Sequence, residues 1–124
     1  MVSRRIYYFQ PQTPPQITAC NALPSNINRS SQIHSLINAY KLPLISPRIE
    51  SATRSDLALF HTEEYIDYIQ TSTKDDPEFT ESDCSWFEQL SDYCGYIGGA
   101  AIESARLLAT EGDGTVVVNF DGGR

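Results

Sequence analysis

Two short runs of β-branched and aromatic residues lie near opposite ends of this chain, and the pattern between them is mainly helical. The runs are RIYYF at Arg5–Phe9 and TVVVNF at Thr115–Phe120, and both are typical of strands, the second of a fully buried one. Strands separated by helices are joined by long crossovers, which favour a parallel α/β sheet. Because two strands alone do not make a stable sheet, we expect the chain to be the beginning of a larger α/β domain.

Two amphipathic patterns predict the principal helices. The first begins near Ser30 and ends before Pro43, and its inward face is formed by Ile33, Leu36, Ile37 and Tyr40. The second runs from about Ser85 to Thr110, with a buried stripe of Phe87, Leu90, Cys94, Ile97, Ala101 and Leu108. Glycines are poor helix formers, so the glycines inside this helix predict close approach of a neighbouring backbone at Gly95, Gly98 and Gly99.

Shorter patterns lie between these helices. Thr53 and Asp56 have the spacing of a capping box, which predicts a short helix with Leu57 and Phe60 on one face. A second start at Thr62 predicts a helix whose inward residues are Tyr65, Ile66 and Ile69. We expect Leu42–Ile49 to be extended. Residues 10–28, with four prolines, and the acidic residues 71–82 are predicted loops, although Ile17–Leu23 has room for one helical turn.

The charge balance excludes several classes of function. The net charge is −7 and the isoelectric point is about 4.6. A protein that binds nucleic acid or an anionic membrane surface needs a basic face, so we expect neither partner. The first residues are a poor secretory signal. Three cysteines without a CxxC pair favour reduced thiols, and therefore a protein that is not secreted.

The residues by themselves do not assemble a catalytic site. A hydrolytic zinc site needs three nitrogen or oxygen ligands and an open position for water, whereas the two histidines, His34 and His61, lie on separate predicted elements. We interpret both as structural, hydrogen-bonded residues near helix ends. The turn that follows TVVVNF is the place where an open α/β sheet would carry a site.

Several segments resemble, in order along the chain, the zinc-dependent histone deacetylases of the class I kind. The resemblance rests on the helix segment from Arg29 to Tyr40, FHTEEYI at residues 60–66, SDC at residues 82–84, GGA at residues 98–100 and VNFDGGR at residues 118–124. Ser85 stands where the family has proline. The resemblance implies a three-layer parallel-sheet fold of the arginase and deacetylase kind. Residues 1–124 would be only its N-terminal portion, mostly helical with two short parallel strands.

The resemblance also implies a reaction, the zinc-assisted hydrolysis of N-acetyl-lysine amides on histones. In this family two histidines follow the G-G-x turn, and the zinc ligands and the oxyanion-stabilising tyrosine lie further downstream. None of these can be placed in this chain. We therefore assign it no catalytic residue and no metal ligand, and expect it to bind no zinc and to be inactive alone.

The resemblance assigns roles to five residues, each of which also has a simpler interpretation. Asp83 would bind backbone amides of the substrate peptide, or simply cap the long helix. Gly122 and Gly123 would line the tunnel for the lysine side chain, or simply form a tight turn. Arg29 and Tyr7 would line an internal cavity below the active site, or be a surface cation and a core aromatic.

The expected setting follows from the same resemblance. The partners of the whole protein would be histone tails or acetylated peptides and co-repressor proteins. Its location would be the nucleus, with the cytoplasm as a second location in addition. Three other hypotheses stay open at this stage. The chain could be a non-catalytic interaction module, a truncated gene product, or part of a deacetylase for acetylated polyamines or other small amides.

Overall fold

The structure is a computed structural model, and it describes residues 4–81 and 85–122. Its elements are, in order, β1 (Arg5–Phe9), α1 (Pro14–Asn21), a 3₁₀ turn (Pro24–Asn26), α2 (Arg29–Tyr40), α3 (Arg54–Leu57), α4 (Glu63–Thr71), α5 (Pro77–Glu81), α6 (Leu90–Glu111) and β2 (Thr115–Asn119). The predicted class is confirmed: the chain is a mixed α/β unit, mostly helical, with two short strands.

The two strands pair in parallel, as predicted, with Tyr7 opposite Val117. The other edge of β1 is bonded to the extended segment after α2. The backbone N–H of Tyr8 donates to the carbonyl oxygen of Ile45 at 2.8 Å. The backbone N–H of Ile45 donates to the carbonyl oxygen of Ile6 at 2.9 Å. Because β1 is held along both edges, Tyr8 and Phe9 are among the most buried side chains, at 2% and 0% exposure.

The second strand is less buried than its sequence predicts. A continuous run of valines is typical of a strand covered on both faces, yet Val116 is 42% exposed and Phe120 is 38% exposed. Among the described residues β2 pairs only with β1, and it packs against α6. The expectation of a fully buried strand is therefore wrong for this chain, because burial depends on neighbours that a strand sequence cannot specify.

The long helix is confirmed, but its buried face differs from the predicted one. The helix begins at Leu90, not near Ser85, and it packs against α1 and β2. It buries Tyr96, Ala100 and Leu107, while Ala101 and Leu108 are exposed. The inward stripe is thus displaced by one residue around the helix, a shift that apolar spacing alone does not exclude. The core cluster consists of Tyr7, Phe9, Cys20, Ile49, Tyr96, Ala100 and Leu107.

Close backbone approach occurs at Gly95 and Gly99 of α6, as predicted, whereas the nearest atoms at Gly98 belong to the side chains of Ala52 and Leu57. The backbone N–H of Ala52 donates to the carbonyl oxygen of Gly95 at 2.8 Å. At Gly99 a Cβ atom would overlap the carbonyl oxygen of Glu50 and lie 3.1 Å from the backbone nitrogen of Ala52. The helix therefore packs against the backbone of residues 50–52, and glycine at position 99 is what permits this approach.

The helix α2 forms where predicted, and its buried face overlaps the predicted face only in part. Ser30 and His34, spaced i and i+4, are its buried residues, whereas Leu36 is 56% exposed and Tyr40 is 66% exposed. Ile33 and Ile37 of the predicted face are half-buried, so the predicted face is correct in part and the buried side is rotated toward Ser30 and His34. The physical reason is that His34 makes buried hydrogen bonds on the inward side, described below, which outweigh the apolar preference in this chain.

Two predicted loops contain helices. Residues 10–28 include α1, eight residues long, and the 3₁₀ turn, where we expected at most one helical turn. Residues 71–82 include α5. Proline occupies the first helical position in all three, where its missing N–H is not needed and its fixed φ favours the helix. The expectation of two loops is corrected on this ground.

The short helices confirm the capping pattern but only part of the predicted faces. The Thr53 hydroxyl accepts from the Asp56 backbone N–H at 3.2 Å, and Asp56 accepts from the Thr53 backbone N–H at 2.8 Å. Ile66 of α4 is buried, as predicted. Phe60, by contrast, is 89% exposed and Tyr65 is 50% exposed, so neither faces inward.

We expect the capping box to make a small pH-dependent contribution to stability. Hydrogen bonds from the backbone and then the side chain of Thr53 lower the pKa of Asp56. A carboxylate with a depressed folded pKa stabilises the protein above its unfolded pKa, about 4, and this contribution is lost as pH falls through the folded pKa. Melting temperatures of D56N should therefore fall less than those of wild type over that acidic range. Equal slopes for the two proteins would contradict this, and D75N, in an exposed loop, is the matched control.

Candidate functional site

The carboxyl ends of the parallel strands meet at one edge of the sheet, and the turn at residues 120–122 leaves from there. β1 ends at Phe9 and β2 ends at Asn119. Phe120 and Asp121 follow, and the Asp121 side chain is buried whereas Phe120 is exposed. In α/β sheets this edge is where functional residues collect. The turn is therefore the candidate site of the chain.

A buried chain of three side chains joins this turn to β1 and α2. The Tyr8 hydroxyl is hydrogen-bonded to Nδ1 of His34. Nε2 of the same ring lies 2.7 Å from Oδ2 of Asp121, and the two side chains are only 8% and 4% exposed. Segments that are 26 and 87 residues apart in sequence are thus connected through a single imidazole.

Two further bonds hold the backbone of the turn. The Tyr93 hydroxyl of α6 donates to the carbonyl oxygen of Asp121 at 2.7 Å. The guanidinium of Arg29, at the start of α2, donates from one terminal nitrogen to the carbonyl oxygen of Phe120 at 2.9 Å. Two consecutive carbonyl groups of the turn are therefore fixed from two different helices.

The interior next to the turn is polar and keeps its hydroxyl and thiol groups protonated. Burial, and secondarily the negative charge of Asp121, raises the pKa of Tyr8 to about 12. The same two causes raise the pKa of Cys20 to about 12. Burial, and secondarily the charges of Asp121, Cys20 and Tyr8, also raises the pKa of Tyr96. The Tyr96 hydroxyl is buried and has no hydrogen-bond partner among the residues that the structure describes. The Tyr8, Cys20 and Tyr96 side chains, each a potential donor, thus lie close enough to Asp121 to be influenced by its charge.

We expect Cys20 to be unreactive in the folded protein. Its side chain is buried at 3% exposure, and a thiol with a pKa of about 12 contains almost no thiolate at pH 8. Alkylation followed by peptide mapping should label Cys20 at least about a hundredfold more slowly in native buffer than in denaturant. Cys94, which is half-buried, provides the internal comparison. Equal native and denatured rates at Cys20 would contradict the expectation.

The structure places three of the five predicted site residues. Gly122 directly follows Asp121, and a Cβ there would lie 2.9 Å from the side-chain nitrogen of Asn119, so a larger residue would have to displace the Asn119 amide. Arg29 is exposed and bound to the same turn. Tyr7 is part of the core cluster. Asp83 and Gly123 lie outside the described residues. The roles assigned to these five residues remain predictions.

The sequence reasoning missed Tyr8 and Asp121 as members of the site. The interpretation of His34 as a hydrogen-bonded structural residue agrees with its two bonds, although it lies within α2 and not at its end. His61, in contrast, is exposed between the rings of Phe60 and Tyr65, with centroid distances of 5.0 and 5.3 Å. An aspartate directly after a predicted strand, at the end where sites form, was the signal that could have found Asp121.

The described residues do not fit a zinc site. Residues 4–81 and 85–122 contain no group of three or more histidine, cysteine, aspartate or glutamate side chains placed to hold a metal. His34 and Asp121 are directed at each other, and a catalytic zinc needs three protein ligands. No metal-assisted step can be derived through the residues that the structure describes.

A separate cavity of about 500 Å³ lies between α3, α4 and α6. Its wall includes Leu57, Ile66, Ile69 and Ile97, with His61 and Asp92 among the polar members. The cavity is lined by residues of elements other than the strand ends, so it is distinct from the turn.

None of the helices in the described part of the chain is long and apolar enough to cross a bilayer.

The fold and the turn together define an α/β protein with a polar site at the carboxyl ends of parallel strands. Comparison with known families gives this class a name: residues 23–124 match the histone deacetylase domain. The chain therefore belongs to the histone deacetylase family, and the resemblance noted in the sequence is confirmed.

Individual relatives agree with this assignment. The chain is 32% identical over 123 residues to histone deacetylase 8 of Danio rerio, an alignment that covers 90% of this chain and 32% of that protein. It is also 32% identical over 131 residues to histone deacetylase RPD3 of Saccharomyces cerevisiae, covering 97% of this chain and 30% of that protein. The chain thus spans about a third of the length of these curated relatives.

Proposed function

We propose that this chain forms part of the substrate-binding wall of a zinc-dependent deacetylase that hydrolyses N-acetyl-lysine amides on histone tails. The family match over residues 23–124 carries the proposal. The rigid turn after β2 supports it, because the family resemblance assigns the G-G-x turn to the lysine tunnel. Four hydrogen bonds reach this turn or its aspartate from α2, α6 and β2, which suits a surface that must hold a fixed shape.

Each predicted residue has a chemical role in this proposal. Asp83 accepts hydrogen bonds from two backbone amides of the peptide, which an acceptor-only carboxylate can do. Gly122 and Gly123 bring the backbone close to the lysine side chain. Arg29 and Tyr7 line the internal cavity that receives the acetate product, where a guanidinium attracts an anion. The exposed guanidinium of Arg29 beside the turn supports a position near the site.

The metal belongs to the whole deacetylase in this proposal. In the family, zinc activates water and polarises the amide carbonyl, and the ligands, the catalytic histidines and the tyrosine lie downstream of the G-G-x turn. We therefore expect the 124-residue chain alone to give no chelator-sensitive turnover. The proposed partners of the whole protein are acetylated histone tails and co-repressor proteins, and its proposed location is the nucleus.

A chimera tests the proposal directly. This chain would replace the matching N-terminal third of the yeast relative RPD3, and turnover would be measured on an N-acetyl-lysine histone peptide and on an acetylated polyamine. We expect chelator-sensitive turnover of the peptide in preference to the polyamine. D83N should lower kcat/KM by about tenfold to a hundredfold, the effect of losing charge-assisted bonds to the peptide.

Matched controls separate a role in binding from a role in folding. D75N removes a carboxylate from the exposed loop before α5 and should leave kcat/KM unchanged. A chimera that melts like RPD3 but deacetylates neither substrate would contradict the proposed function. Preference for the polyamine would instead favour the small-amide hypothesis.

A further inference from the structure

The turn after β2 is connected to the rest of the protein mainly through Asp121. The Asp121 backbone N–H donates to Oδ1 of Asn119 at 3.2 Å, and its carbonyl oxygen accepts from Tyr93 at 2.7 Å. Its side chain is held by His34 at 2.7 Å. The first two bonds fix the peptide planes on either side of the residue. The third decides which way the buried carboxylate points.

The direction of the hydrogen bonds follows from the chemistry of the three groups. With its pKa raised to about 12, the Tyr8 hydroxyl keeps its proton and can donate it. When the hydroxyl donates, Nδ1 of His34 accepts that bond, and the ring carries its proton on Nε2. Nε2–H in turn donates to the Asp121 carboxylate, which can only accept. The chain of bonds therefore runs from Tyr8 through His34 to Asp121.

A rotation of the Asp121 side chain would have consequences at the next residue. Gly122 follows without any linking segment, and its Cα hydrogens already face the Asn119 side chain, where a Cβ would come within 2.9 Å. A buried carboxylate without its donor would turn toward water, because an unpaired buried charge is costly. This rotation of the carboxylate would move the backbone of residues 121–122.

We propose that His34 is a positioning residue, which orients the turn at Asp121–Gly122 by relaying a hydrogen bond from Tyr8 to the Asp121 carboxylate. Its meaning for catalysis rests on the proposed function, in which this turn lines the lysine tunnel. The histidine itself touches no substrate. It acts through Asp121, and Tyr8 acts by selecting the tautomer that can donate.

Nuclear magnetic resonance of the 124-residue chain tests the inference without any assay of turnover. In wild type the ¹⁵N signals of His34 should report a proton on Nε2 and an accepting Nδ1. H34L should speed hydrogen exchange at the Asp121 amide about tenfold or more relative to the amides of β1. H34Q, whose amide N–H can donate to the carboxylate, should restore exchange to within about threefold of wild type.

The variants separate positioning from general destabilisation. Y8F removes one hydroxyl, so it should leave β1 protected and allow the ring to populate the other tautomer. If H34L accelerates exchange throughout the chain, H34Q and Y8F decide. The inference is overturned when the Asp121 amide of H34Q exchanges as fast as that of H34L, when Y8F leaves the His34 tautomer as in wild type, or when wild type itself carries the proton on Nδ1.

Kinetics of the RPD3 chimera connect positioning to the reaction. H34L should lower kcat about tenfold with little change in KM, because a displaced wall affects the transition state more than initial binding, and H34Q should recover most of the loss. If the wild-type chimera gives no turnover, the proposed function has failed, while the exchange data still support or overturn the positioning role.

Discussion

Replacing Gly99 with alanine is expected to destabilise the protein by about 3 kcal/mol, the upper range for forcing extra atoms into a packed interior. The added Cβ would overlap the carbonyl oxygen of Glu50 and approach the backbone of Ala52 at 3.1 Å. Both obstacles are backbone atoms, so no side-chain rotation can remove them. Denaturant unfolding followed by circular dichroism measures the effect.

The neighbouring glycine of the same helix is the matched control. At Gly95 a Cβ would lie 3.6 Å from Cβ of Ser51, an ordinary contact. Alanine there should be neutral or stabilising by up to about 1 kcal/mol, the helix-propensity difference between the two residues. A G99A protein as stable as G95A would show that α6 does not pack against residues 50–52 as closely as described.

Breaking the His34–Asp121 pair is expected to cost about 3 kcal/mol in free energy of unfolding for either single variant. The pair is almost entirely shielded from water, and removing one partner of a buried pair leaves the other uncompensated. D121L and H34L should therefore each be destabilised. The double variant should be less destabilised than the sum of the two single variants, by a coupling free energy of about 2 kcal/mol.

The salt bridge between Glu103 and Arg106 offers a control for this cycle. Arg106 is exposed on the surface of α6, and surface pairs contribute about 0–1 kcal/mol. A cycle with E103Q and R106Q should accordingly give a much smaller coupling. Strict additivity of the His34 and Asp121 variants would contradict the buried network.

Sequence patterns predicted correctly those features that depend on residues close together in the chain. The Thr53–Asp56 capping box forms because its bonds join residues three apart, and the strands at Arg5–Phe9 and Thr115–Asn119 form in β-branched runs. Pro14, read as a loop residue, starts a helix. A proline at the first helical position is a known helix-start signal, but the same residue is equally compatible with a loop, so the sequence did not distinguish the two.

The location of the candidate site could be predicted from the sequence, but the side-chain contacts that form it could not. The rule that sites form at the carboxyl ends of strands pointed to the turn after β2. The partnership of Tyr8, His34 and Asp121 was not predictable, because these residues come from three segments and neither spacing nor composition records their approach. The buried face of α2 was predicted only in part for the same reason, since His34 on that face bonds to residues of two distant segments.

The order of amino acids alone determined the class of the chain, the parallel pairing of its two strands, the close backbone approach at Gly99 and membership of the histone deacetylase family. These properties depend on periodicity, glycine placement and motif order, all of which are visible in the linear sequence. Only the tertiary structure decided which faces of α2 and α6 are buried, how exposed β2 is, and that one imidazole joins β1 to the turn. Burial and hydrogen bonding between distant segments are properties of three-dimensional proximity, which no local pattern encodes.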